Sequence, residues 1–538
     1  MKGNGDIRES VDLIFDNYAL FLKISEAALG QMDLGAILNE IAWNKFNAYG
    51  IYWNGVFKYI NDFMAPYWTA LNSFNAAEQK KIQRRSSYEN IRDYLELIHF
   101  NIRMAGMGIK SSSDIMNEFH LQDLYRGFHA SMSTLFKQDS EDYLCFAERQ
   151  KKLLEKVVYE YDDAIRNIQK EYGFHFDSGG YARAAETDRF IMYEIFPNEP
   201  GIKTVRKAKP ILIIPPFVLG ENILAFLPAE KRSYVHAFAN QGIPTYVRVI
   251  KDINTTPAVQ CMIPEEDALD TQYFCETLKN KHGLPVTLNG FCQGGLIALV
   301  DVLSGAFKGL VDALITCVAP IDGTRSKSLV EYLKHQPDRF RDISYAVKDL
   351  PNGNRVVDGK VMSWVYRLIN IEREAPLYSF YRDLKMFDDP HGKDVKITKT
   401  AAAINHWLIY DRRDMPVSIT KMSFDSYTVP IAKDGTLPIR LFGKWLNLRV
   451  LKDTGVKFLI CCGLKDDLVD RESALAPLDY VDAEVTLFPK GHGAIATSWS
   501  HPDSEYALQK RYGNNMRGPV RFQLDLDEIM RGTRRYHG

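Results

Sequence analysis

The chain has 538 residues, 46% of them hydrophobic and 25% charged, with a formal net charge of −1. That length and composition describe a folded protein with a large core and two domains, and the near-neutral balance without a Lys/Arg-rich block argues against a nucleic-acid binder. The seven cysteines, at 145, 261, 275, 292, 317, 461 and 462, have neither the spacing of a disulfide framework nor that of paired metal ligands, so a reducing compartment and no metal are expected.

Met1 to Asp6 lack the basic and apolar regions of a signal peptide, and no uncharged apolar run reaches the roughly 18 to 20 residues that span a bilayer. A cytoplasmic protein without a transmembrane segment is the expectation. From Ile7 to Gly173 apolar residues recur at helical spacing, first as Val11, Ile14, Phe15, Tyr18, Phe21 and Leu22, later as Leu153, Leu154, Val157, Val158 and Tyr161. A helical N-terminal domain over residues 1–180 follows, closed by the turn-rich Asp177-Ser178-Gly179-Gly180. Within it runs an aromatic series: Trp43, Phe46, Tyr49, Tyr52, Trp53, Phe57, Tyr59, Phe63, Tyr67 and Trp68. The expectation is that this face packs against its own protein; the alternatives are a hydrophobic polymer, a membrane surface or a second copy in a homodimer.

After residue 180 the pattern changes to short apolar or β-branched runs separated by helical segments: Phe190 to Phe196, Ile211 to Ile214, Thr245 to Ile250, Pro285 to Leu288, Ala313 to Val318, Lys457 to Cys462 and Ala483 to Phe488. Runs that are apolar throughout indicate parallel strands covered on both faces, and their alternation with helices indicates an α/β sheet. Residues 181–538 are therefore expected to form a catalytic domain, with an insertion at about 322–456 acting as a lid. That insertion shows a helical stretch from Gly359 to Ile371 and a hairpin signal at Lys433-Asp434-Gly435-Thr436.

The chemistry concentrates in Gly290-Phe291-Cys292-Gln293-Gly294-Gly295, which stands between a strand-like run and a helix-like run. Small residues on both sides suit a strained strand-to-helix turn that exposes one nucleophile, here a thiol. Two partners follow in order: Asp466 in the loop after Lys457 to Cys462, and His492 in the loop after Ala483 to Phe488. Nucleophile, acid and histidine on successive strand ends describe an α/β-hydrolase fold, a mostly parallel sheet with helices on both faces. A free thiol with a pKa of about 8.5 needs a neighbouring imidazole to become thiolate near neutral pH, so Cys292, His492 and Asp466 are the candidate catalytic set. The oxyanion donors would be the backbone N–H of Gln293 and one from the loop after Ile214. Pro215 and Pro216 lack an N–H, which leaves Phe217 or Val218, with Val218 preferred. Asp467 is the rival acid, and Asp470 reads as a solvated loop or helix-cap residue.

The elbow, the Gly-x-x-Asp-x-x-Val setting of Asp466 and the Gly491-His492 pair together resemble the polyhydroxyalkanoate synthases. Ile214-Pro215-Pro216 and the segment with Trp407, Asp411, Met415 and Pro416 fit the same family, and the likeness covers roughly residues 211–502. The resemblance implies polymerisation of (R)-3-hydroxyacyl groups from coenzyme A thioesters, without a further cofactor. It implies that Cys292 carries the acyl chain, that His492 acts as base and that Asp466 orients it. It also implies hydroxyacyl-CoA and the growing polyester as partners, at a polymer-granule surface. Two other readings stand beside it: a cysteine hydrolase resembling the dienelactone hydrolases, with water as acceptor, and a non-catalytic granule-associated protein.

Overall fold

A computed structural model describes residues 34–136, 139–389, 395–513 and 516–536. The chain forms two compact units, one made of residues up to Ala65 with 104–164 and 371–397, the other of 66–103, 165–370 and 398–538. The insertion at 322–456 therefore contributes to both units.

The helices α1 (Leu34–Gln79) and α2 (Ser87–Phe136) carry the N-terminal region, followed by Tyr143–Glu155. Asp142 starts that last helix by accepting a hydrogen bond from the Cys145 N–H, the expected role of an N-cap carboxylate. Leu153, Leu154, Val157, Val158 and Tyr161 are buried, as their spacing predicts, whereas Val11 to Leu22 lie outside the described residues. The aromatic series meets its expectation only in part: Tyr59 packs inward, its ring 5.1 Å from that of Phe380 and its hydroxyl donating to Asp383 at 2.8 Å. Tyr52 lies against Phe380 with ring centroids 5.8 Å apart and shares a 2.6 Å hydrogen bond with the Tyr381 hydroxyl. Phe46, Tyr49, Trp53 and Phe57 instead face solvent. The reason is steric: α1 turns Gly55 and Val56 inward, and a Cβ on Gly55 would come within 2.7 Å of Val158 and 2.8 Å of Phe380. The side chains of Trp43, Phe63, Tyr67 and Trp68 lie outside those described.

The second unit is built on an eight-stranded sheet: β1 Tyr181–Glu186, β2 Phe190–Ile195, β3 Ile211–Ile214, β4 Thr245–Ile250, β5 Val286–Phe291, β6 Val311–Cys317, β7 Lys457–Gly463 and β8 Glu484–Phe488. The spatial order is β1-β2-β4-β3-β5-β6-β7-β8. β2 runs antiparallel to β1 and β4, and every other neighbouring pair is parallel. This order, with its antiparallel second strand, is the α/β-hydrolase fold. All four residues of β3 are fully buried, which explains its unbroken Ile-Leu-Ile-Ile sequence. The helix after β5, α3 (Gln293–Leu303), is buried along its whole length, so its apolar residues show no amphipathic stripe.

The insertion holds the helix Gly359–Ile369 near its expected place, followed by Ile371–Glu374, then α4 (Lys399–Tyr410) and α5 (Val417–Thr428). The hairpin lies elsewhere than its Asp-Gly signal suggests. Thr436–Leu441 pairs with Lys444–Asn447, and the chain reverses at Phe442 and Gly443, both with positive φ (48° and 75°). Asp434-Gly435 forms a separate turn just before the first strand, in which Gly435 donates to the Ala432 carbonyl. Among the described residues no helix is long and apolar enough to cross a membrane.

Candidate active site

β5 delivers the chain to Cys292 from a fully buried strand, and α3 leaves it at once. At Cys292 the backbone takes φ 54° and ψ −125°, a conformation that L residues adopt only when their surroundings compel it. Those surroundings are visible. The Cys292 N–H donates to the Cys317 carbonyl on β6 at 2.8 Å, and its own carbonyl accepts from Gly295 at 2.9 Å. A Cβ on Gly290 would sit 2.1 Å from the Gly294 carbonyl oxygen, one on Gly294 2.1 Å from the Ile214 oxygen, and one on Gly295 2.6 Å from the Ala319 side chain. Gly290 and Gly294 are thus required by close backbone approach and Gly295 by the Ala319 side chain, and Cys292 is held at the sheet's carboxyl edge with 9% of its surface exposed.

Asp466 and His492 arrive from the ends of β7 and β8. His492 Nδ1 lies 2.9 Å from Asp466 Oδ2, and both side chains are nearly or wholly buried. The other Asp466 oxygen accepts the N–H groups of Leu468 at 3.0 Å and Val469 at 2.8 Å, which fixes the carboxylate plane. An ionised carboxylate only accepts, so the imidazole carries its proton on Nδ1 and presents Nε2 as the free lone pair when neutral. Nε2 is buried with no hydrogen-bond partner among the described residues, and Cys292 stands close enough to act on the ring's charge. Burial opposes an imidazolium here, but Asp466 and Cys292 together hold the His492 pKa well above the ordinary histidine value. Phe291 closes one side, its ring centroid 5.8 Å from that of His492.

Among the described residues no cluster of three or more His, Cys, Asp or Glu is arranged to hold a metal ion. Asp467, the alternative acid, is exposed. Asp470 is a tie between loops: its carboxylate accepts from the Ser326 hydroxyl at 3.0 Å and the Lys327 N–H at 2.6 Å.

The loop after β3 faces the elbow. The Phe217 N–H is committed to Gln293 Oε1 at 3.1 Å, which leaves the neighbouring Val218 N–H as the candidate donor of the two. The insertion grips the same loop from further along. Trp407 Nε1 donates to the Leu219 carbonyl at 3.1 Å and Arg413 makes a two-pronged pair with Glu221 at 2.7 and 2.8 Å, while Asp411 beside them accepts from the hydroxyl of Tyr172, outside that loop, at 2.7 Å. Sequence reasoning singled out Trp407 and Asp411 but missed Glu221, Arg413 and the Gln293 side chain, whose partners lie up to about two hundred residues away.

No family model matches the chain, and no curated protein matches it. Solved structures do align with it, at low similarity. One is a carboxylesterase of the ammonia-oxidizing thaumarchaeon Nitrososphaera gargenis, at 14% identity and a TM-score of 0.32, covering 59% of this chain and 92% of that one. A thermophilic esterase from Thermogutta terrifontis aligns at 12% identity and a TM-score of 0.29, over 63% of this chain and 97% of its own. The meta-cleavage product hydrolase of Pseudomonas fluorescens IP01 gives 12% identity and a TM-score of 0.29, over 64% and 94%. Scores this low carry no functional argument, and the strand order with its strained elbow is what defines the fold here.

Proposed function

We propose that this chain is an acyltransferase that works through a thioester on Cys292. The observation that carries the reading is the buried Asp466–His492 pair at 2.9 Å, set with a bare Nε2 beside a thiol on a strained elbow. His492 Nε2 takes the Cys292 proton and the thiolate attacks the acyl-CoA carbonyl. The developing oxyanion is met by the Gln293 and Val218 N–H groups. The carbon–sulfur bond to CoA then breaks, and the CoA thiolate leaves with the proton from His492. Asp466 holds the imidazole in the productive tautomer throughout.

The acceptor in this reading is the hydroxyl of an (R)-3-hydroxyacyl unit. His492 removes the hydroxyl proton, the oxygen attacks the Cys292 thioester carbonyl, the carbon–sulfur bond to Cys292 breaks and the proton passes from His492 to the released thiolate. A new ester forms and the chain grows as a polyhydroxyalkanoate. Support for that choice comes from the combined elbow, Pro-Pro, tryptophan and histidine motifs, and from chemistry. Exchange between two thioesters is nearly isoenergetic, and a thioester acylates an alcohol more readily than an oxygen ester does. The polymer is then the chain's partner, and the protein works at a granule surface in the cytoplasm. Purified protein supplied with (R)-3-hydroxybutyryl-CoA is expected to release free thiol and turn turbid, and Cys292→Ala to do neither. Thiol release without turbidity or polymer would assign water as the acceptor and overturn the polymerase reading.

A further inference from the structure

The Gln293 side chain occupies a position that the reaction above does not by itself require. It is buried, with 6% of its surface exposed, and both ends of its amide are used. Oε1 accepts from the Phe217 N–H at 3.1 Å, and Nε2 donates to the Ser423 hydroxyl at 2.9 Å. Neither end can be exchanged for the other. A backbone N–H only donates, so it must meet Oε1. The Ser423 hydroxyl has a carbonyl to donate to, that of Ile419 at 3.3 Å, and so accepts from Nε2. Ser423 lies on α5, in the insertion, 130 positions from Gln293.

One residue therefore reaches both halves of the oxyanion site. Its backbone N–H stands at the free first turn of α3, and its side chain fixes the peptide that precedes Phe217, the neighbour of the Val218 N–H. Gly294 permits this closeness, because a Cβ there would lie 2.1 Å from the Ile214 oxygen and 2.8 Å from that of Pro215. Further along, the loop is held at Leu219 and Glu221 by α4 and Arg413, and the Phe217 ring lies 6.3 Å from that of Phe190 with the Arg248 guanidinium 5.9 Å from its centre.

We propose that Gln293 is a positioning residue for acyl transfer: with Ser423 of the insertion it sets the loop that carries the Val218 N–H against the elbow. The inference rests on the acyl-transfer reading. It makes the insertion part of the oxyanion machinery, because α5 supplies the anchor for the amide that aligns the loop.

The test separates two reactions of the same thiol. Alkylation of Cys292 by iodoacetamide needs a reactive thiolate but forms no oxyanion, whereas acylation by (R)-3-hydroxybutyryl-CoA needs both. Both rates are measured by mass spectrometry on the full-length wild type, Gln293→Ala and Ser423→Ala. Gln293→Ala is expected to slow acylation about a hundredfold, the size of losing one oxyanion donor, with alkylation within about twofold of wild type. Ser423→Ala, which frees only the far end of the amide, is expected to give the same split with a smaller loss, about three- to tenfold. Wild-type acylation rates in Gln293→Ala would overturn the proposal and leave the acyl-transfer reading standing. Equal losses of alkylation and acylation in both variants would also overturn it, since that is a general collapse of the elbow. A wild-type protein that alkylates at Cys292 but never acylates there would overturn the acyl-transfer reading itself, and the proposal with it.

Discussion

The elbow and the loop that faces it reach their geometry by contrasting means. At the elbow the constraint is local and made of backbone: three glycines within six residues, a strand on each side, and a carbonyl 2.8 Å from the Cys292 N–H. The loop after β3 is held by side chains from far away, Gln293 at its start, Trp407 at Leu219 and Arg413 at Glu221. Local backbone constraints tolerate no extra atom. Distant side-chain ties are individually modest and act together, which predicts steep losses at the elbow and graded ones at the loop.

The largest effect belongs to Gly290→Ala. Its Cβ would stand 2.1 Å from a backbone oxygen that has no room to move, and a cost of about 4 kcal/mol or more is expected in urea unfolding. Gly180→Ala, where no atom lies within 4 Å of the added carbon, should change stability by no more than about 0.5 kcal/mol. Similar midpoints for the two variants would break the contrast between a crowded elbow and an open turn.

Next in size is His492→Gln, which removes the base while leaving the elbow intact. Acylation of Cys292 should fall by about 10² to 10⁴-fold without loss of the folded state by circular dichroism. Asp466→Asn sharpens the same point through pH. The His492 pKa is raised in the folded protein, so its contribution to stability is complete below the unfolded value of about 6.5 and is lost as pH rises through the folded one. The gap in urea midpoint between wild type and Asp466→Asn should therefore be widest near about pH 6 and shrink at alkaline pH; a gap that widens with pH would contradict the Asp466 and Cys292 influence on His492.

The loop's ties give smaller changes. Trp407→Phe removes one hydrogen bond to the Leu219 carbonyl and is expected to cost about 1 kcal/mol, read from thermal unfolding. Asp467→Asn, at an exposed position beside the buried Asp466, should leave the acylation rate within about twofold of wild type. A hundredfold loss there would exchange the two aspartates.

This division also governs what the sequence discloses. Gly290, Cys292, Gly294 and Gly295 advertise their geometry because each contact lies within a few residues or on a neighbouring strand, and Asp466 and His492 follow from their places after strands. β3 and β7 are legible as apolar runs because they are buried almost throughout, whereas β5 keeps the buried polar Thr287 and Asn289 and β8 lies at the sheet's edge. β1 is not: Tyr-Ala-Arg-Ala-Ala-Glu lacks β-branched residues and is strand only because β2 offers it an edge, with a register shift between Arg183 and Ala185. The hairpin was masked by Asp434-Gly435, a stronger turn signal than the Phe442-Gly443 pair that reverses the chain. Nothing local marks Ser423 as the partner of Gln293, or Arg413 as that of Glu221, because those pairs exist only once the insertion has folded over the sheet's loops. The solvent-facing stripe of Phe46, Tyr49, Trp53 and Phe57 was hidden for a related reason: helical spacing gives a face, and Gly55 decides which side of α1 turns inward.

The central claim is that Cys292 carries the acyl group, and mass spectrometry of the protein after brief exposure to (R)-3-hydroxybutyryl-CoA tests it most directly. The peptide containing Cys292 should gain the mass of one or more hydroxybutyryl units, with no such gain in Cys292→Ala. An unmodified Cys292 during steady release of CoA thiol, or acylation at another cysteine, would contradict it.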